Sequence, residues 1–243
     1  MDLNLSSVHS TKLVFFEQLG STNQYLLENA ELDENSWPDF SVVCAAEQTA
    51  GRGRSQRQWS SPLGTSLSAS ILIREAKGAS HWYGILLAMA LSRSLRSQGV
   101  SAGLKWPNDV LVDGKKIAGV LGQANANYLV IGIGVNLSPV EIENSVSLSQ
   151  LNLEPEFDFQ LAALLKEFAE LKNSFELVGV AAVLEELRDI SHTLGLRVRV
   201  TTEAGILEGT ATDIDDQGRL VLDKGKQTVS AGDILHLRGV ETI

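Results

Sequence analysis

Apolar residues recur along this chain at two spacings, one of two residues and one of three to four residues. Short segments that are continuously apolar, or that alternate apolar with polar residues, predict β-strands, and they span residues 12–18, 39–48, 66–74, 109–124 and 127–138. The fourth segment contains Asp113-Gly114, a dipeptide that favours a two-residue turn between antiparallel strands. We therefore expect a hairpin there, with Lys115 and Lys116 beginning its second strand.

Helical spacing of apolar residues predicts four helices. The first is capped by Ser21 or Thr22, so this serine–threonine pair lies at a helix N-terminus. The second covers residues 80–99, the third residues 161–171, and the fourth residues 181–195. The apolar face of the second helix, which we expect to be buried, consists of Trp82, Ile85, Leu86, Met89 and Leu95.

Beyond residue 195 the pattern changes to short β-rich runs separated by turn residues. Such a succession of short strands predicts a small β-barrel. We therefore divide the chain into two domains, residues 1–194 and residues 195–243. The expected fold class is α+β, with a mixed β-sheet flanked by helices in the first domain and the small barrel in the second.

The charge balance and the short apolar runs exclude several classes of protein. With 30 Asp plus Glu against 20 Lys plus Arg and a formal net charge of -10, the chain lacks the broad positive surface that binds nucleic acid or anionic lipid. The longest apolar run, residues 85–91, is too short to cross a bilayer, and the N-terminus has no signal-peptide pattern. We therefore expect a soluble, cytoplasmic protein without a nucleic-acid or membrane partner.

The cysteine and the histidines do not suggest a reactive or metal-binding site. The single cysteine, Cys44, lies in an apolar strand segment, so we interpret it as a buried thiol rather than a nucleophile. The four histidines are far apart and none has the spacing of metal ligands, so a zinc site is not expected.

A glycine-rich segment between the second and third predicted strands concentrates positive charge. This segment, TAGRGRSQRQW (Thr49–Trp59), contains Arg52, Arg54 and Arg57 without an intervening acid. Its two glycines permit backbone conformations that bulkier residues cannot adopt, and arginine forks bind carboxylates and phosphates. The segment therefore favours an anion-binding loop. The alternatives are a solvated loop and an Arg-Gly segment that binds nucleic acid.

A second polar cluster lies around Pro107 in LKWPNDVLV (Leu104–Val112). Because a proline keeps the preceding residue extended, Lys105, Asn108 and Asp109 gather on a stiff turn. A cation, an amide and a carboxylate therefore converge there. The alternative is an ordinary type I turn in which the polar side chains only satisfy the backbone.

Two further segments are ambiguous when taken alone. The glycines of VIGIGVN, Gly132 and Gly134, do not make a dinucleotide-binding motif, because Leu137 occupies the third glycine position and no helix pattern follows. Glycines in an apolar strand instead indicate close approach of another group to the backbone. The lysines of GKKIAG are compatible with exposed side chains beside a hairpin turn.

The order and spacing of four blocks give these signals a common meaning. GSTNQYL, AAEQTAGRGRSQRQWSSPLGTSL, LKWPNDVLVDGKKIAGVL and VIGIGVNLS resemble the successive blocks of the biotin protein ligases. The C-terminal β-rich segment is similar to the small SH3-like domain of that family, so the resemblance covers residues 13–238. It implies the biotin ligase fold, which is like that of class II synthetases, followed by an SH3-like β-barrel.

The resemblance also implies an ATP-dependent enzyme that works in two steps. Biotin and MgATP give biotinyl-5′-AMP and pyrophosphate, and a lysine of a biotin carboxyl carrier protein, from acetyl-CoA carboxylase or a related carboxylase, then takes the biotinyl group. By the same resemblance, Lys116, Arg52 and Arg54 are the catalytic residues. Their charges suit a reaction in which negative charge grows on phosphate oxygens.

The matching positions further imply which residues bind each substrate. Those assigned to biotin are Ser21, Thr22, Asn23, Gln48, Arg52, Gly53, Arg54, Lys116 and Gly119. Those assigned to ATP and the adenylate are Arg54, Arg57, Trp59, Lys105, Asn108, Asp109, Lys116, Asn136 and Arg238. Mg²⁺ is expected with the nucleotide, and Asp109 is a candidate ligand because Mg²⁺ favours oxygen donors.

Two departures from the family pattern affect these expectations. The family's repressors carry an N-terminal winged-helix domain, whereas about twelve residues precede the first predicted strand here, so DNA binding is not expected. Ser55 stands where some relatives have a further basic residue, which lowers the charge of the loop. A lipoate-type ligase and a non-catalytic module that binds biotin or the adenylate remain alternatives. Both a monomer and a homodimer remain open.

Overall fold

A computed structural model gives the fold of residues 10–54, 57–59, 61–74, 76, 80–202, 204–230 and 232–237. Its largest element is a seven-stranded sheet with the order β1-β2-β3-β7-β6-β5-β4. β1 and β2 are parallel, and the other neighbouring strands are antiparallel. The strands are β1 Lys12–Leu19, β2 Ser41–Gln48, β3 Ser66–Ile73, β4 Ala102–Lys105, β5 Asp109–Val112, β6 Lys115–Ala124 and β7 Leu129–Asn136. The predicted mixed sheet is confirmed, and β4 is an additional strand.

Helices cover both faces of this sheet, and within the described residues they are α1 Thr22–Leu32, α2 Ser80–Ser97, α3 Phe157–Val178 and α4 Leu184–Asp189. Residues of α1 share a core cluster with Val43, Leu72 and Val130. Residues of α2 and α3 share a larger cluster with Val42 and Ile71, the strand neighbours of Val43 and Leu72. Because both faces are covered, every residue of β3 and β7 is buried, including the three serines of β3.

The predicted helices differ in how well they match the structure. Ser21 caps α1, since its hydroxyl accepts a hydrogen bond from the Gln24 amide at 3.4 Å. The whole predicted apolar face of α2 is buried. The predicted helix over residues 181–195 is wrong in length, because α4 has six residues. The chain after it instead pairs with Leu104 of β4, which accepts a hydrogen bond from the His192 amide at 2.6 Å.

The hairpin turn and the cysteine follow the sequence prediction. Asp113 and Gly114 join β5 to β6 with φ angles of 50° and 75°. Positive φ at both central residues is the geometry of a type I′ turn. Cys44 is a free thiol in the core, and burial raises its pKa to about 12. It is therefore a packing residue.

The C-terminal strands form a second, antiparallel sheet with the order β11-β10-β9-β8-β12. These strands are β8 Arg197–Thr202, β9 Gly205–Ile214, β10 Leu220–Leu222, β11 Gln227–Val229 and β12 Asp233–His236. The predicted β-rich unit is confirmed. The predicted small SH3-like unit has the form of an open sheet over the described residues, with β11 and β12 at its two edges.

The turn between β9 and β10 of the small sheet contacts α2 and the turn that follows β4. The carbonyl of Gly218 accepts a hydrogen bond from Trp106 Nε1 at 2.9 Å and lies 3.0 Å from His81 Nε2. Nearby, Trp82 Nε1 donates to the Asp216 carbonyl at 3.1 Å.

Among the residues that the structure describes, no helix is long and apolar enough to span a bilayer.

Candidate active site

Two cavities adjoin at the start of β6, where Lys116 and Trp59 line both of them. We call the larger one, about 320 Å³, the charged cleft. It is lined by Gly53, Arg54, Arg57, Gln58, Trp59, Lys105, Trp106, Pro107, Asn108, Asp109, Lys116, Asn136, Ile142, Glu143, Ser145, Gly232, Asp233 and Ile234. We call the smaller one, about 50 Å³, the neutral pocket. It is lined by Ser21, Thr22, Asn23, Gln48, Arg52, Gly53, Trp59, Lys116, Gly119, Val120, Leu121, Gly132, Ile133 and Gly134.

The arginine loop connects the two cavities because it folds back on itself. The Gly53 amide donates to the Arg57 carbonyl at 2.7 Å, and the Trp59 amide donates to the Gly51 carbonyl at 2.9 Å. Gly51 is required for this close approach, since a Cβ at that position would lie 2.6 Å from the Trp59 carbonyl oxygen. The narrow loop therefore places Arg52 at the neutral pocket, Gly53 at both cavities and Arg54 at the charged cleft, so Arg54 does not line the pocket to which the sequence also assigned it.

Positive side chains of the charged cleft rest against polar partners. Lys116 Nζ lies 2.6 Å from Asp109 Oδ1, Arg57 lies 2.6 Å from an Asp233 carboxylate oxygen, and Arg54 Nη1 donates to Asn108 Oδ1 at 3.0 Å. Burial lowers the pKa of the Arg54 guanidinium, against the attraction of Asp233 and Asp109. The three cations line one cleft together with Asp109 and Asp233, so an anionic ligand would replace these carboxylates as the partner of Lys116 and Arg57.

Lys105 adds a fourth positive charge to this cleft. Burial lowers the pKa of its ammonium group, the nearby Asp109 opposes that effect, and Lys116 adds to it. Lys105 is the last residue of β4, and the turn that follows it contains a cis Trp106–Pro107 peptide. The predicted convergence of Lys105, Asn108 and Asp109 at one cavity is what the fold produces.

The neutral pocket has a hydrogen-bonded floor built from the start of α1 and the end of β2. Gln48 Oε1 accepts from the Thr22 amide at 2.8 Å and lies 3.1 Å from Thr22 Oγ1. Asn23 Nδ2 donates to the Leu121 carbonyl at 3.2 Å and to Gln123 Oε1 at 2.9 Å. These side chains are polar and uncharged, which suits a ligand group that is itself neutral.

Two glycines of β7 make room for the side chains of the neutral pocket. A Cβ on Gly132 would lie 2.1 Å from Asn23 Oδ1, and a Cβ on Gly134 would lie 2.2 Å from the Trp59 ring. The close approach indicated by VIGIGVN is therefore present. Among the residues that the structure describes, Trp59 Nε1 is buried and has no hydrogen-bond partner, so a ligand acceptor in this pocket would satisfy it.

Asn136 lines the charged cleft, but its amide is used within the protein. Its Nδ2 donates to the Val146 carbonyl at 3.1 Å and to the Lys116 carbonyl at 3.3 Å. It therefore fastens the segment after β7 to the strand that carries Lys116. Two other residues singled out by the sequence, Ser55 and Arg238, lie outside the described residues.

Residues that the sequence interpretation did not assign also line or support the cavities. Asp233 of β12 contributes a carboxylate to the charged cleft, and residues 142–145 close it on another side. Ser68 and Ser70 of β3 lie beneath the neutral pocket and are buried. Their only sequence signal is their alternation in SLSASILI, which places both on one face of the strand.

Known families match both sheets. The biotin/lipoate A/B protein ligase family matches residues 15–136, and the biotin protein ligase C terminal domain matches residues 193–237. The chain is 36% identical over 234 residues to the biotin--[acetyl-CoA-carboxylase] ligase of Mycobacterium tuberculosis, covering 91% of this chain and 87% of that protein. It is 30% identical over 222 residues to the bifunctional ligase/repressor BirA of Escherichia coli, covering 85% of this chain and 67% of that protein.

Its fold is also similar to the solved structure of a biotin protein ligase from Aquifex aeolicus in complex with biotin and ATP. The TM-score is 0.81 at 24% identity, and the match covers 94% of this chain and 100% of that chain. The mixed sheet, the two cavities and these relatives define a ligase-type enzyme. More narrowly, the chain belongs to the biotin/lipoate A/B protein ligase family, in the group whose members also carry the biotin protein ligase C terminal domain.

Proposed function

We propose that this protein is an ATP-dependent biotin protein ligase, which makes biotinyl-5′-AMP from biotin and MgATP and transfers the biotinyl group to a lysine of a carrier protein. The observation that carries the proposal is the position of Lys116 at the boundary between a neutral pocket and a charged cleft. A ligand with a neutral head and a carboxylate tail fits this arrangement, with its tail facing the cleft. The names of the Mycobacterium tuberculosis relative and the Aquifex aeolicus structure support the same choice.

In the first step, a biotin carboxylate oxygen bonds to the α-phosphorus of ATP and pyrophosphate leaves. Two anions must approach each other, so their repulsion has to be reduced by fixed positive charge. We assign this role to Lys116, Arg52 and Arg54. Lys116 is held 2.6 Å from Asp109, and a substrate oxygen would exchange with that carboxylate as the partner of the ammonium.

The remaining site residues are assigned by cavity. Thr22, Asn23 and Gln48 would hydrogen-bond the ureido ring of biotin, whose N–H and C=O groups match their neutral side chains. Ser21, Gly53 and Gly119 complete that side of the site. The nucleotide side would consist of Arg57, Trp59, Lys105, Asn108 and Asn136, with Arg238 as a further candidate.

The residues present fit a Mg²⁺ ion that arrives with ATP. Mg²⁺ is usually held by one or two carboxylates together with substrate phosphates and water. The charged cleft offers Asp109 and the amide oxygen of Asn108, and the described residues contain no cluster of three His, Cys, Asp or Glu side chains. Asp109 is therefore the proposed ligand. The ion would supply additional positive charge to the phosphates.

In the second step, the lysine amine of the acceptor attacks the acyl carbon of the adenylate, releases AMP and loses a proton as the amide forms. We propose a biotin carboxyl carrier protein of acetyl-CoA carboxylase as the acceptor, because the name of the Mycobacterium tuberculosis relative gives that carboxylase. We also propose that the reaction takes place in the cytoplasm. The catalytic domain would be residues 1–194 and the second domain residues 195–243.

Replacing Lys116 tests the proposal. Lys116→Ala should reduce biotin-dependent pyrophosphate release by about 100- to 1000-fold, since losing one such donor typically costs ~3–4 kcal/mol of transition-state stabilisation. The matched control is Lys115→Ala, because Lys115 is the exposed neighbour on the same strand. Release of pyrophosphate from labelled ATP is measured with biotin and with lipoate. Equal activity of the parent and Lys116→Ala would refute the assigned role, and lipoate-dependent activity alone would refute the proposed substrate.

A further inference from the structure

Ser70, in the middle of β3, contacts two residues of the neutral pocket at once. Its Oγ lies 2.7 Å from Thr22 Oγ1 and 2.6 Å from Asn23 Oδ1, and it is fully buried. Thr22 and Asn23 are the first two residues of α1, and both line the pocket. Ser70 is therefore in a position to fix how these two side chains face a ligand.

The orientations of the neighbouring amides follow from their other partners. The Thr22 backbone N–H donates to the Gln48 side chain at 2.8 Å, so the atom that faces α1 is the oxygen Oε1. The nitrogen of the same amide, Nε2, donates to Ser68 Oγ at 3.2 Å. Asn23 is fixed in the same way, because its nitrogen donates to the Leu121 carbonyl and leaves Oδ1 facing Ser70. The floor of the pocket is therefore rich in oxygen acceptors.

A count of hydrogens shows that these acceptors are in excess. The oxygens of Gln48, Thr22, Ser70 and Asn23 form a row with three successive contacts of 3.1, 2.7 and 2.6 Å. Three hydrogens enter this row, because the Thr22 amide donates to Gln48 Oε1 and the hydroxyls of Thr22 and Ser70 supply one each. Both hydroxyl hydrogens are used within the row, whereas hydroxyl and amide oxygens have two lone pairs each, so acceptor capacity remains. A ligand that donates N–H groups can use these lone pairs, whereas a ligand with only acceptor atoms finds no free hydrogen in the row.

We propose that Ser70 is a positioning residue that makes the neutral pocket selective for a head group with N–H donors, such as a cyclic urea, over a disulfide ring. The inference rests on the proposed function and extends it to a residue that does not itself line the pocket. Ser70 acts by holding Thr22 and Asn23 as acceptors. Gly132 supports the same arrangement from below, because only a residue without a Cβ leaves space for Asn23 Oδ1.

The experiment is calorimetric titration of the full chain with biotin, without nucleotide. Ser70→Ala should weaken biotin binding at least tenfold, since the acceptors are no longer held in place. Ser92→Ala is the matched control, because Ser92 is an equally buried serine whose hydroxyl donates to the Ala102 carbonyl at 2.9 Å, away from the site. Its affinity for biotin should stay within twofold of that of the parent. The KM for ATP should be unchanged in both variants.

A second ligand separates positioning from general damage to the fold. Biotin methylated on a ureido nitrogen lacks one N–H donor, so the ratio of the two affinities measures what that donor contributes. The ratio should fall at least fivefold in Ser70→Ala relative to the parent. An unchanged ratio, or an unchanged biotin affinity, would overturn the role of Ser70. If the parent itself fails to bind biotin, it is the proposed function that fails.

Discussion

Glycines determine where the side chains of this site can lie. Gly132 and Gly134 belong to the central strand β7, a position where glycine normally weakens a strand. Each leaves space that a pocket side chain occupies, Asn23 above the first and Trp59 above the second. The sequence indicated that something approaches this backbone. It did not indicate which groups, because they come from α1 and from the arginine loop.

This use of space leads to a prediction for Gly132→Ala. The new Cβ would lie 2.1 Å from Asn23 Oδ1, so Asn23 must move and the pocket floor is disrupted. We expect the free energy of unfolding to fall by about 1–3 kcal/mol and biotin binding to weaken. Gly122→Ala, on the adjacent strand β6, is the control, since its nearest neighbour would be 3.7 Å away. Urea denaturation and calorimetric titration measure the two effects, and equal results for both variants would contradict the prediction.

Not every assigned residue has a free functional group. The amide of Asn136 is engaged by two backbone carbonyls, so its contribution to the cleft depends on holding Lys116 and the segment around Val146. Sequence position alone could not separate this role from direct contact with a nucleotide. Lys116 differs, because its partner Asp109 is a side chain that can exchange.

At the scale of elements, the spacing of apolar residues predicted the strands and helices that carry a clear apolar pattern in their own sequence. β2 and β7 are apolar enough to be recognised alone, β3 was recognised by its alternation of serine with apolar residues, and the face of α2 by its helical spacing. β4 was missed because its four residues form a strand only by pairing with β5. The predicted fourth helix was too long because the backbone after α4 pairs with Leu104 of β4, 86 to 88 residues earlier in the sequence, and no local pattern contains such a contact.

The hairpin between β5 and β6 was predictable because its turn is specified locally. Gly114 has φ 75° and open space around it, so any cost of replacing it is conformational. Gly114→Ala should lower the free energy of unfolding by about 1–2 kcal/mol, the usual cost of a left-handed conformation. Asp113→Asn should leave stability unchanged, because asparagine is equally suited to this turn. Thermal and urea denaturation of both variants test the prediction, and a fully stable Gly114→Ala protein would be inconsistent with it.

At the scale of the whole molecule, the site depends on contacts between parts of the chain that are far apart in sequence. The charged cleft combines the arginine loop, the turn around Pro107, residues 142–145 and the start of β12. The family resemblance assigned the arginine loop and the turn around Pro107 to one site. It did not include Asp233, which pairs with Arg57. The division of the chain between residues 194 and 195 stays a prediction.

The small sheet is fastened to the cleft through Trp106. The indole of Trp106 donates to the Gly218 carbonyl, and the Trp106 amide donates to the hydroxyl of Thr193 at 3.0 Å. That hydroxyl lies 3.3 Å from His236 Nε2 on β12. Burial lowers the pKa of His236 to about 4, with the charges of Lys105 and His192 adding to the effect, so this histidine is neutral near pH 7. Contacts with Thr193 and Gly218 therefore fix the position of Trp106, which lies between Lys105 and Asn108.

The hydrogen bonds from Trp106 and Trp82 to the small sheet lead to a prediction that separates the packing of this sheet from its effect on the site. Trp106→Phe removes the indole donor to Gly218, and Trp82→Phe removes a similar donor to Asp216 on the same turn. Both tryptophans are buried, so each variant should lose about 1–3 kcal/mol of unfolding free energy by urea denaturation. Only Trp106→Phe should also raise the KM for ATP in the pyrophosphate assay, because Trp106 itself lines the charged cleft and precedes Pro107 and Asn108 there, whereas Trp82 lines neither cavity. If the two variants raised the KM equally, the small sheet would act on the site through general stability, and the anchoring of the turn by Gly218 would have no separate role.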